Sequence, residues 1–84
     1  MCRNITILRG LRPAATPEEI DAAALQYVRK ISGIRLPSSR AELVFDRAVR
    51  EVAVATTTLL MEMEPRRRPP SSLPPLRRAQ SITH

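Results

Sequence analysis

ATPEEIDAAALQYVRKISG, residues 15–33, is the stretch whose reading decides the fold. It opens with a helix start signal. Thr16 supplies a hydroxyl that accepts from the free amides of a first turn, and Pro17 suits the first helical position because its missing N–H would go unpaired there anyway. Glu19 stands three residues after Thr16, the spacing of a reciprocal capping box. Glu18, Glu19 and Asp21 place negative charge at the positive end of the helix dipole, and Arg29 with Lys30 place positive charge at the other end. Ile20, Ala23, Ala24, Tyr27, Val28 and Ile31 fall at steps of three and one, a single apolar face on a 3.6-residue helix. Gln26 is exposed by the same phase. Gly33 then provides the left-handed residue on which helices end at least cost. The spacing predicts a helix from Pro17 to Ser32.

Working outward toward the C-terminus, Pro37 punctuates a short link, and Ser39 with Glu42 repeats the capping-box spacing. The helix expected there runs from Arg40 to Met63 and is stopped by Pro65. Its apolar stripe is Ala41, Val44, Phe45, Ala48, Val49, Val52, Ala53, Thr56, Leu59, Leu60 and Met63. Thr56, Thr57 and Thr58 lower its propensity without abolishing it. A link this short favours antiparallel neighbours. At 1.5 Å per residue the helices measure roughly 24 and 36 Å, so the end of the second overhangs the first. The overhang is apolar. Leu59, Leu60 and Met63 must meet either the N-terminal arm or another copy of the chain.

On the other side, residues 1–15 read as an extended arm lying across the helices. Ile5, Ile7, Leu8 and Leu11 are apolar, but Gly10 and Pro13 interrupt any regular element, and a brief strand would have no partner. With only Tyr27 and Phe45 as aromatics, the core expected from Tyr27, Val28, Val44, Phe45 and Val49 is thin, as it must be in a chain this short. The expected architecture is all-α: an antiparallel two-helix hairpin with an extended N-terminal arm over residues 1–64, and a disordered, basic Pro/Arg-rich tail over 65–84.

Charge divides along the same line. The net charge is +6, but residues 1–64 hold nine Arg or Lys against eight Asp or Glu, whereas Pro65 to His84 hold five Arg and no acid. The basic character belongs to the tail. Its composition offers too little apolar surface to offset ordering entropy. Arg66, Arg67, Arg68, Arg77 and Arg78 are either a solvated basic tail or a candidate anion-contacting set, which would bind phosphates without sequence preference, since nothing in the chain has helix-turn-helix spacing or aromatics set in a basic patch.

The string Met1-Cys2-Arg3-Asn4-Ile5, the run 15–33 with its Leu25-Gln26-Tyr27-Val28-Arg29-Lys30-Ile31-Ser32-Gly33 segment, and Phe45-Asp46-Arg47-Ala48-Val49 with Glu51-Val52-Ala53 resemble the domain of unknown function 2277 family, a group of short uncharacterised bacterial proteins. The resemblance covers residues 1–61 and leaves the tail outside. Where that pattern often carries aromatics, before the Pro-Ala-Thr turn and after Ser-Gly, this chain has Leu11 and Ile34. The resemblance implies a small bacterial protein and no activity.

Residue chemistry adds little. The single cysteine excludes a disulfide framework, and the N-terminal segment lacks the apolar core of a signal peptide, so a reducing cytoplasm and no membrane span are expected. No catalytic residue, cofactor or metal ligand is assigned, because one Cys and one His make no zinc set. If there is catalysis, its candidate is Cys2, exposed beside a free α-amine after removal of Met1 and poised for nucleophilic or redox chemistry. The leading expectation is a non-enzymatic helical binding or assembly module, self-associating or joining a helical protein through Val52, Leu59, Leu60 and Met63. Nucleic-acid binding through the tail is the third reading.

Overall fold

A computed structural model of the chain describes residues 5–64, Pro70 and 72–77. The described residues are all-α and contain no strand: helix α1, Pro17–Ser32, is followed by a link over 33–41 and helix α2, Glu42–Glu62. Ile20 and Ala24 from the first half of α1 meet Ala53 and Leu60 from the second half of α2, which defines an antiparallel hairpin.

The limits of α1 are those its sequence demands. The Thr16 hydroxyl accepts from the Glu19 amide at 3.2 Å, and the Glu19 carboxylate accepts from the Thr16 amide at 2.9 Å, completing the capping box. Gly33 sits in the left-handed region at φ 70°, and its amide donates to Arg29 at 3.0 Å, the single bond of a left-handed helix cap.

The start of α2 differs from expectation. Ser39 and Glu42 form no capping box: residues 38–41 make a turn in which the Ala41 amide donates to Ser38 at 3.0 Å, and Ala41 is the cap residue, itself in right-handed helical conformation with no side-chain cap bond. The ladder opens with Phe45 donating to Ala41, which leaves Ser39 two positions ahead of where its hydroxyl would reach a first-turn amide. The helix passes through its threonines intact. Thr56 and Thr57 hydroxyls donate to the Val52 and Ala53 carbonyls one turn back at 2.7 and 2.9 Å, so the half-buried side chains bring no unpaired polar group inside.

Beyond Glu62 the chain is extended at Met63, and no basic residue lies in the last turn of α2. The arm compensates. Arg9 donates through Nε to the Glu64 carbonyl at 2.7 Å, bringing a cation to the negative end of the helix dipole. Gly10, at φ 86°, lets the arm turn there, so that Leu11 is buried while Leu8 and Ala15 pack on the cluster of Ile20, Ala24 and Ala53. The arm lies across the hairpin, as its apolar residues require.

The core among the described residues is small: Leu11, Ile20, Ala24, Val28, Phe45 and Ala53. Two residues expected inside are not. Tyr27 is at the edge beside the arm, and Val44 projects into solvent because it lies about 100° around the helix from buried Phe45. In urea unfolding followed by helix signal, Thr16→Ala is expected to lower stability by about 1 kcal/mol, whereas Ser39→Ala leaves it within about 0.5 kcal/mol of the parent.

Candidate functional site

The features with chemical content gather on the face of α1 that turns away from α2. Helical phase puts Glu19, Ala22, Gln26 and Arg29 on that face, which would be solvated in an isolated hairpin. Here the arm lies along it and Ser72–Arg77 returns to it. The returning segment makes one turn, with the Arg77 amide donating to Pro74 at 3.0 Å and Pro74 buried.

Arg77 is bound in place by the start of α1. Its guanidinium grips the Glu19 carboxylate with two bonds, Nε to Oε2 at 2.6 Å and Nη2 to Oε1 at 2.9 Å. The same Nη2 reaches the Pro13 and Ala14 carbonyls at 2.8 and 3.1 Å. Glu19 is only 5 % exposed. It serves the capping box and the ion pair at once. Burial alone would raise its pKa, but the bonds from Arg77 and from the Thr16 amide, with the Arg77 charge, outweigh burial and hold the carboxyl below its ordinary value.

Between the arm, α1 and the returning segment is a cavity of about 230 Å³. Ile5, Thr6 and Leu8 form one wall, Ala22, Ala23, Leu25, Gln26 and Arg29 the floor, and Pro74, Pro75 and Leu76 the third side. The lining is mainly apolar, with Thr6, Glu19, Gln26 and Arg29 as its polar members. Thr6 Oγ1 and Arg29 Nε are buried without a hydrogen-bond partner. A larger and more open groove of about 520 Å³ runs between the turn of the arm and the end of α2, lined by Leu8, Leu11, Ile20, Leu60 and Met63 among others.

The residues singled out in the sequence disperse. Val52 and Leu60 are partly buried against the hairpin's own core cluster, while Leu59 and Met63 remain exposed. Cys2, Arg66, Arg67, Arg68 and Arg78 lie outside the described residues. Arg77, grouped with them as an anion-contacting residue, is instead the ion-pair partner of Glu19. Of the tail expected to be disordered, residues 74–77 are seated on the hairpin, and most of the remainder is outside the described residues. Among the described residues no group of three or more His, Cys, Asp or Glu is arranged to hold a metal ion, and no helix is long and apolar enough to cross a membrane.

Other exposed apolar residues on α2 carry more surface than the expected set. Leu43, Val54 and Met61 recur at steps of eleven and seven residues, which places them in one row on the outward side of the helix. That spacing was present in the sequence but lay outside the richer stripe. The Glu19–Arg77 pair, separated by 58 residues, carried no comparable signal.

Fold and site together define a small capped helical hairpin bound by its own two terminal segments. The chain belongs to the family described as Uncharacterized conserved protein (DUF2277), which it matches over residues 1–84. The match extends through the tail, correcting the expectation that family likeness ends at residue 61. No curated protein and no solved structure matches the chain.

The lowered pKa of Glu19 makes stability depend on pH with a definite sign. Its contribution is complete above the ordinary value of 4.5 and is lost as the pH falls below that through the lowered native value. The urea midpoint is expected to fall on acidification from pH 6 to pH 3. In Glu19→Gln, that part of the fall is missing.

Proposed function

We propose that the protein is a small non-enzymatic assembly module of the bacterial cytoplasm that pairs with a second copy of itself through the outward face of α2. The observation that carries this reading is the apolar content of that face. Leu43 and Met61 are each 79 % exposed, Val44 68 % and Val54 61 %. Among the described residues, a core of six, two of them alanine, leaves more large apolar side chains outside on α2 than inside it. Such a distribution is typical of a surface that association covers.

Charge favours a second copy over an unrelated helix. Arg47, Arg50, Glu51 and Glu62 are exposed along the same side of α2, so the face carries both signs in a fixed order. An antiparallel pairing centred on the middle of α2 brings Leu43 and Val44 toward Met61 of the second copy. It also brings Arg50 toward Glu51. A twofold interface repeats each contact, as isologous pairing requires. The cytoplasmic assignment draws on the lone cysteine, and the bacterial one on the resemblance of the opening residues to short bacterial proteins.

Sedimentation velocity over about 5–200 μM tests the reading. Wild type is expected to sediment as a dimer at the upper end and Val54→Arg as a helical monomer throughout. Arg50→Glu and Glu51→Arg each weaken the dimer, and their combination restores it in part. A wild-type monomer across the whole range would overturn the reading.

A further inference from the structure

We infer that the cavity between the arm, α1 and the Pro74–Leu76 turn is a binding site for a small organic acid with an apolar body. Two polar groups of residues that line it lack hydrogen-bond partners. A donor buried without an acceptor costs about 1–3 kcal/mol, and native proteins keep few of them. Here Arg29 Nε and Thr6 Oγ1 are both in that condition, they come from segments far apart in sequence, and both residues line the same cavity.

Charge selects the sign of the ligand. Glu19 lines the cavity too, but its carboxylate is bonded by Arg77 and by the Thr16 amide. The Glu19–Arg77 pair cancels, which leaves Arg29 as the uncompensated charge among the described lining residues. A carboxylate supplies acceptors for Arg29, with the Thr6 hydroxyl and the Gln26 amide as further donors on the walls. Engagement requires Arg29 and Thr6 to turn toward the cavity by a rotamer adjustment.

Size and polarity select the rest. The volume of about 230 Å³ is that of roughly seven or eight water molecules. It lies below the ~300–1,000 Å³ usual for cofactor-sized ligands. The remaining walls, from Ile5, Leu8, Ala22, Ala23, Leu25, Pro74 and Leu76, are hydrocarbon. A carboxylic acid of roughly six carbons has that volume and that division of polarity.

The test uses the full-length protein and hexanoate, followed by two-dimensional NMR of backbone amides and of the arginine Nε–H groups. Hexanoate is expected to shift the Arg29 Nε–H and the amides of Thr6 and Gln26 saturably, with a Kd on the order of 1 mM. Arg29→Gln should weaken hexanoate at least tenfold while leaving hexan-1-ol unchanged, and Ala22→Leu, which fills the floor, should weaken both. Two results overturn the inference: no saturable shift at cavity residues, the cavity then holding solvent alone, or equal hexanoate affinity in wild type and Arg29→Gln.

Discussion

The Glu19 carboxylate is the constraint on which the rest of the structure depends. One oxygen closes the capping box at the start of α1 and also accepts from Arg77, and the other accepts from Arg77 alone. A helix start, a turn of the arm and a returning C-terminal segment are therefore joined through one ion pair, since Arg77 also donates to the Pro13 and Ala14 carbonyls. A buried carboxylate is costly unless it is paired and fully bonded, and this one is both. Loss of Arg77 would leave its charge under the arm. The helix cap, ordinarily a local device, has become the anchor of a long-range contact.

That contact explains how so thin a hairpin is enclosed. The six buried apolar residues among those described give little area, and the two helices touch along one face only. Coverage of the remaining faces falls to the termini. The arm packs Leu8 and Leu11 over the open end of the hairpin and holds the end of α2 through Arg9, while Pro74–Leu76 closes the far side of α1. Among the described residues, nothing covers the outward face of α2 in this way.

Much of this was legible in the residues, and the exceptions have physical causes. Thr16, Pro17, Glu19 and Gly33 determine α1 to the residue, because each acts on neighbours within one turn. The second start failed as a reading since Ser39 has the right spacing to Glu42, yet the Ser38–Ala41 turn delays the helix by two residues. Val44 and Tyr27 were assigned to the core because apolar periodicity marks a broad stripe without saying which edge the partner covers. Gln26 was read as solvated for the opposite reason. The phase of α1 was judged against one partner helix, whereas three elements surround it. The pairing of Glu19 with Arg77 had no local signal at all, since a single arginine among prolines looks like solvated tail until its distant partner is placed beside it.

The most direct test of the account is a double-mutant cycle on Glu19→Gln and Arg77→Met, measured by urea unfolding at neutral pH. If the two side chains clasp the tail to the start of α1, their coupling is about 1.5–3 kcal/mol and the double variant is far less destabilised than the sum of the single ones. Strict additivity, with coupling under about 0.3 kcal/mol, would contradict the claim that this ion pair organises the fold.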